Sequence, residues 1–122
     1  AALLLPGCAD LYSLKTLRAS MGAVFRMPAY TVDADALRAL LTAANLPLYG
    51  AALRDDTADV RALPLHRCAI AIGSEGRGLT AQVLALCDRT VRIPMEAHCE
   101  SLNAARAAAV LLWEAYRAEE GN

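Results

Sequence analysis

Cys68-Ala69-Ile70-Ala71-Ile72 is apolar at every position and stops abruptly at Gly73-Ser74-Glu75-Gly76-Arg77-Gly78. A short apolar run closed by glycines and followed by a helix-period stretch reads as a central parallel strand, buried on both faces. A second unit of the same kind lies downstream. Thr90-Val91-Arg92-Ile93 is rich in β-branched residues and must end at Pro94, which has no N–H to give the ladder. The polar stretch that follows leads to Ser101, placed as the N-cap of a long helical pattern. Polar side chains and free backbone N–H groups thus meet at a strand end and a helix N-terminus, a favourable place for a ligand.

The same alternation runs upstream. Residues 3–5 read as a strand, 6–10 as a turn, and 13–23 as a helix with Leu14, Leu17 and Met21 on one face. Lys15, Arg18 and Arg26 fall around that helix, as a solvated face or a phosphate-facing edge. Residues 29–32 form a short strand, and Asp33 caps a helix carrying Leu37, Leu40, Leu41 and Ala44. Residues 47–53 are a further strand, and 54–64 a polar loop with at most one helical turn. A helix over 79–87 turns Leu79, Val83 and Leu86 to the sheet. The last helix, 102–119, carries an apolar stripe of Ala105, Ala109, Leu112, Trp113 and Tyr116. Strands alternating with helices, with no long linker or repeat, predict a single domain over 1–122 built on one open α/β sheet. Ligands in such sheets sit beyond the carboxyl ends of the strands, where both loops lie.

Composition excludes several classes. A chain of 122 residues has room for one core. It is 57% hydrophobic, yet no apolar run approaches the roughly 18 residues of a membrane span. The net charge of −1 does not announce a nucleic-acid binder. Eleven of the 12 basic residues are Arg, which suits forked phosphate contacts, although codon bias gives the same skew. Cys8, Cys68, Cys87 and Cys99 form no Cys-x-x-Cys pair and have no His at zinc spacing, so no metal site is expected. They read as reduced thiols of a cytosolic protein. The opening residues 1–5 resemble a strand met halfway, which points to an N-terminally truncated fragment.

The glycine loop is not a P-loop, since no Gly-Lys-Ser/Thr follows. Gly76-x-Gly78-x-x-Ala81 fits a loose dinucleotide pattern, but the first glycine after the strand is Gly73, and Glu75 would face a pyrophosphate. Taken singly, Glu75 reads as a turn residue or a partner for the next helix's dipole. Ser101 and Asn103 read as cap residues, and His98 and Glu100 as solvated side chains.

Together these segments resemble a known family. Ile72-Gly73-Ser74-Glu75-Gly76-Arg77-Gly78-Leu79, Val91-Arg92-Ile93-Pro94-Met95 and Glu100-Ser101-Leu102-Asn103-Ala104-Ala105 look like the second and third signature motifs of SpoU (TrmH-like) RNA methyltransferases, of the SPOUT superfamily. Pro6-Gly7-Cys8-Ala9-Asp10 and residues 18–28 resemble the preceding segment, so the similarity covers nearly the whole chain. The resemblance implies an α/β fold with a mainly parallel sheet flanked by helices and a C-terminal deep trefoil knot. It implies S-adenosylmethionine held largely by backbone groups at Gly73, Ile93 and Leu102, with Met95 and Ser101 beside them. The family's motif glutamate, serine and asparagine fall on Glu75, Ser101 and Asn103, the implied catalytic set. The implied reaction is ribose 2′-O-methylation of tRNA or rRNA by a cytoplasmic homodimer joined through the last helix and the knot. An earlier family motif, an Asn and Gly followed by an Arg that assists deprotonation of the ribose hydroxyl, has no match in this sequence. A non-catalytic homologue that binds cofactor or RNA, or only dimerises, is therefore the alternative.

Overall fold

The computed structural model describes residues 1–74, 76–95 and 103–121. Contacts divide the chain into two compact units, Ala1–Leu40 and Leu41–Asn122.

In the first unit, β1 (Ala2–Leu4) and β2 (Ala29–Thr31) form a two-stranded parallel sheet with Leu3 opposite Tyr30. Between them runs α1 (Leu14–Ser20), capped by the Ser13 side chain, which accepts from the Thr16 N–H. This helix is shorter than the 13–23 pattern. Met21 takes a left-handed conformation (φ 51°) and Gly22 another (φ 87°), which ends the helix before a 3-10 turn at Ala23–Phe25. Asp33 caps α2 (Ala34–Ala44) as expected, accepting from the Ala36 N–H at 2.8 Å.

The second unit holds four strands: β3 (Leu48–Ala51), β4 (Ala58–Asp59), β5 (Ala69–Ala71) and β6 (Arg89–Arg92). All pairs are parallel, in the order β4-β6-β3-β5. The described strands thus pair into two sheets, where alternation had implied one. Hydropathy marks which segments are strands but not which edges join. Nor is β5 central: it lies at an edge of its sheet and is half-buried, whereas Leu48 and Tyr49 of β3 are buried. The stretch 54–64 is more than a loop, because β4 pairs with β6 and a 3-10 turn follows at Val60–Ala62. Two residues are too few for any periodicity to betray a strand.

Helices α3 (Ala81–Leu86) and α4 (Ala104–Glu120) complete this unit. Thr80 caps α3 by accepting from the Val83 N–H. Gly50 lets α3 approach β3, since a Cβ there would lie 2.7 Å from Cys87 Sγ and 2.9 Å from Leu79 Cδ1. Tyr49, Val60, Leu65, Val91 and Leu111 form the core, with Ala115 and Ala118 of α4 packed against it. The buried Thr90 hydroxyl is met by the Thr57 hydroxyl at 2.7 Å, and Thr57 Oγ1 also accepts from the Arg54 N–H. The chain leaving β3 is thereby fixed to β6.

Candidate functional site

The site is built at the carboxyl ends of β5 and β6, which flank β3. Register pairs Gly50 with both Ala71 and Thr90, so the two exits lie on the same sheet edge, two strand spacings or about 10 Å apart. The first exit is the glycine loop. Gly78 N–H donates to Ser74 O at 2.9 Å, and Ser74 and Gly78 form an antiparallel bridge, so the loop closes on itself. Gly73 sits at its throat. A Cβ there would collide with Gly78 C and Leu79 N and lie 2.6 Å from Gly78 O. Only glycine permits this closure, which requires no ligand to explain it. Gly76 and Gly78 take positive φ values of 86° and 69°, conformations that side chains disfavour.

The second exit carries Ile93, half-buried against the core, and then Met95, 41% exposed. Ile72, at the end of β5, is 36% exposed. Apolar side chains left open beside the ends of parallel strands, with backbone groups that no longer have a ladder, suit a ligand with an apolar ring and several polar edges. S-adenosylmethionine has that character, so the described residues fit it.

Asn103 is where the structure departs most from expectation. It, not Ser101, caps α4: its Oδ1 accepts from the Arg106 N–H at 2.8 Å, and its backbone is extended. Two cap-type residues precede the alanine run, and sequence alone does not choose between them. The assigned side-chain amide leaves Nδ2 without a hydrogen bond among the described residues, so Asn103 can serve as a cap and donate outward at once. Of the candidate residues, the structure places Gly73, Ile93 and Met95 at one sheet edge and Asn103 at the head of α4. Glu75, Ser101 and Leu102 lie outside the described residues. Among those described, no helix is long and apolar enough to cross a membrane, and no cluster of His, Cys, Asp or Glu could hold a metal.

Comparison with known proteins identifies the family. The SpoU rRNA Methylase family matches residues 1–113. The chain belongs to that family. This SpoU chain is 32% identical over 107 residues to the 23S rRNA (guanosine(2553)-2'-O)-methyltransferase RlmP of Bacillus subtilis, covering 88% of this chain and 43% of that protein. It is 41% identical over 71 residues to the tRNA (guanosine(18)-2'-O)-methyltransferase of Thermus thermophilus, covering 57% of this chain and 37% of that one. Among solved structures it resembles the SpoU methyltransferase AviRb of Streptomyces viridochromogenes in complex with AdoMet, with a TM-score of 0.88 and 31% identity over 98% of this chain and 50% of that one. The chain spans about two-fifths of the length of RlmP.

Proposed function

We propose that this chain is the cofactor-binding and dimerising part of an S-adenosylmethionine-dependent RNA methyltransferase that modifies the ribose 2′-hydroxyl of tRNA or rRNA in the cytoplasm. The family match over residues 1–113, which takes in both loops at one carboxyl edge, carries this reading. Relatives named as 2′-O-methyltransferases of rRNA and tRNA support the substrate class, and the AdoMet complex of AviRb supports the cofactor. The same likeness supports a single domain over 1–122 and a C-terminal trefoil knot.

Gly73, Ile93, Met95 and Leu102 hold the cofactor: Gly73, Ile93 and Leu102 largely through backbone groups, and Met95 beside them through its exposed side chain. The cofactor supplies an electrophilic methyl group on a sulfonium centre. Glu75, Ser101 and Asn103 form the catalytic set. Ser101 and the side-chain amide of Asn103, whose Nδ2 has no hydrogen bond among the described residues, would orient the ribose hydroxyl toward the transferred group, and position is the larger part of such a displacement. The exposed face of α4, with Leu112, Trp113 and Tyr116 each more than half exposed, supports dimerisation through that helix.

Calorimetric titration with S-adenosylmethionine, with NAD as control, tests the reading. Selective binding of the methyl donor is expected. A folded chain that binds neither, or binds NAD instead, overturns it. Because Asn103 caps α4, Ser101→Ala is expected to leave the melting temperature unchanged while weakening the titration; a variant with full affinity would remove Ser101 from the site.

A further inference from the structure

The first unit carries a surface that the methyl-transfer site does not use. Residues 11–32 contain Lys15, Arg18 and Arg26 and no acidic residue, while the rest of the chain holds 9 basic and 13 acidic residues. Positive charge is thus segregated onto one segment of a chain whose net charge is −1. Lys15 and Arg18 are three residues apart along α1, so their side chains share a face, and Met21 follows at its C-cap. All three are exposed, as is Arg26, and none of the three cations makes an ion pair among the described residues.

Large apolar groups stand open among these charges. Met21 is 87% exposed, Phe25 75% and Tyr12 66%. Met21 is also held left-handed, a conformation disfavoured for any residue with a side chain, and it buries nothing in return. Neither core packing nor helix propensity accounts for a methionine and a phenylalanine presented in this way. Unpaired cations beside an exposed aromatic ring are what single-stranded nucleic acid requires: phosphates meet the cations, and an unstacked base lies on the ring.

We propose that α1 and the following 3-10 turn form a binding surface for single-stranded RNA, with Lys15, Arg18 and Arg26 on phosphates and Phe25 beneath a base. The proposal rests on the RNA-methyltransferase reading and deepens it, placing substrate contact on the first unit as well as at the sheet edge of the second.

Fluorescence anisotropy of a labelled oligouridylate with the whole chain tests it, with an S-adenosylmethionine titration run on every variant. The double variant Arg18→Glu/Arg26→Glu is expected to lose at least about tenfold in affinity, and its log–log salt slope to fall by about 1.4, the share of two phosphates on a single strand. Phe25→Ala is expected to lose about fivefold or more, with the slope unchanged. An RNA duplex of the same length, which offers no free base face, is expected to bind more weakly than the oligouridylate. Circular dichroism of both variants is expected to match the parent, since every altered side chain is exposed. Parental affinity in both variants, or a parent that binds S-adenosylmethionine but not the oligouridylate, overturns the proposal. So does a fall in mass by light scattering, which would assign the surface to a second copy of the chain. Binding of the oligouridylate through these residues without S-adenosylmethionine affinity would sink the methyltransferase reading and leave the surface standing.

Discussion

Asn103 carries a cap that the structure shows and a substrate role that we propose, and the two separate by substitution. Its Oδ1 satisfies the Arg106 N–H at the head of α4, while Nδ2, without a hydrogen bond among the described residues, is the group we propose for the substrate. Asn103→Ala removes both and costs about 1 kcal/mol of stability, as loss of a cap does. Asn103→Asp keeps the acceptor and places a negative charge favourably at the helix N-terminus, but has no donor to offer. The Asp variant is therefore expected to melt at or above the parent temperature yet lose methyl transfer. Retained turnover in Asn103→Asp would reduce the residue to a cap. Gly73 makes the complementary case. Gly73→Ala places a Cβ against Gly78 C and Leu79 N, backbone atoms that cannot step aside singly. Overpacking of this kind costs typically about 1–3 kcal/mol. Because the strain opens the loop itself, affinity for S-adenosylmethionine is expected to fall further than the melting temperature suggests. A calorimetric titration beside a thermal melt of Gly73→Ala checks both, and unchanged affinity would detach the loop from the cofactor.

At the scale of elements, the least legible segment has the clearest electrostatic signature. β4 and the turn after it are pinned by Asp59, whose carboxylate accepts from Arg61 Nε at 3.0 Å, Arg61 Nη2 at 2.7 Å and the Arg61 backbone N–H at 2.8 Å. The Arg61 side-chain hydrogen bonds, followed by the backbone one, lower the Asp59 pKa to about 2. An unfolded Asp titrates near pH 4, so this contribution is complete above about pH 4 and is lost as pH falls through 2. Melts of the parent and Asp59→Asn are expected to differ at pH 5 and converge as the solution is acidified through that window. A constant gap would assign the difference to something other than this carboxyl. Nothing in Asp55-Asp56-Thr57-Ala58-Asp59-Val60 signals a strand, because β4 exists only through its pairing with β6. The elements that were legible are those with local causes: the Asp33 cap, the breaker at Pro94 and the helical period of α4. Those that were not, β5 at an edge and the cap on Asn103, are decided by pairing and by competition between neighbouring cap residues. The site roles proposed for the motif residues rest on resemblance alone, since Gly73 and Asn103 each have a sufficient structural reason to be what they are.

Over the whole molecule, α4 is the element that joins the core to its surroundings. Its inner side seals the second unit through Leu111, 1% exposed, with Ala115 and Ala118 against the core. Its outer side presents Leu112, Trp113 and Tyr116, with the two rings 5.8 Å apart and the Tyr116 hydroxyl donating to Glu120 Oε1 at 2.6 Å. Beside it runs an open groove of about 330 Å³ lined by Leu65, His66, Cys68, Leu112 and Tyr116. A fold in isolation gains nothing from keeping Trp113 in water, whereas a second copy would gain a large aromatic anchor of the kind that dominates interface energetics. The two sides should respond differently to substitution. Leu111→Ala is expected to destabilise the fold by about 2–5 kcal/mol whatever the protein concentration. Trp113→Glu is expected to leave the secondary structure intact, halve the mass seen by light scattering and abolish any rise of melting temperature with concentration. A parent chain that is monomeric at every concentration would refute dimerisation through α4. A dimer that survives Trp113→Glu would move the interface elsewhere.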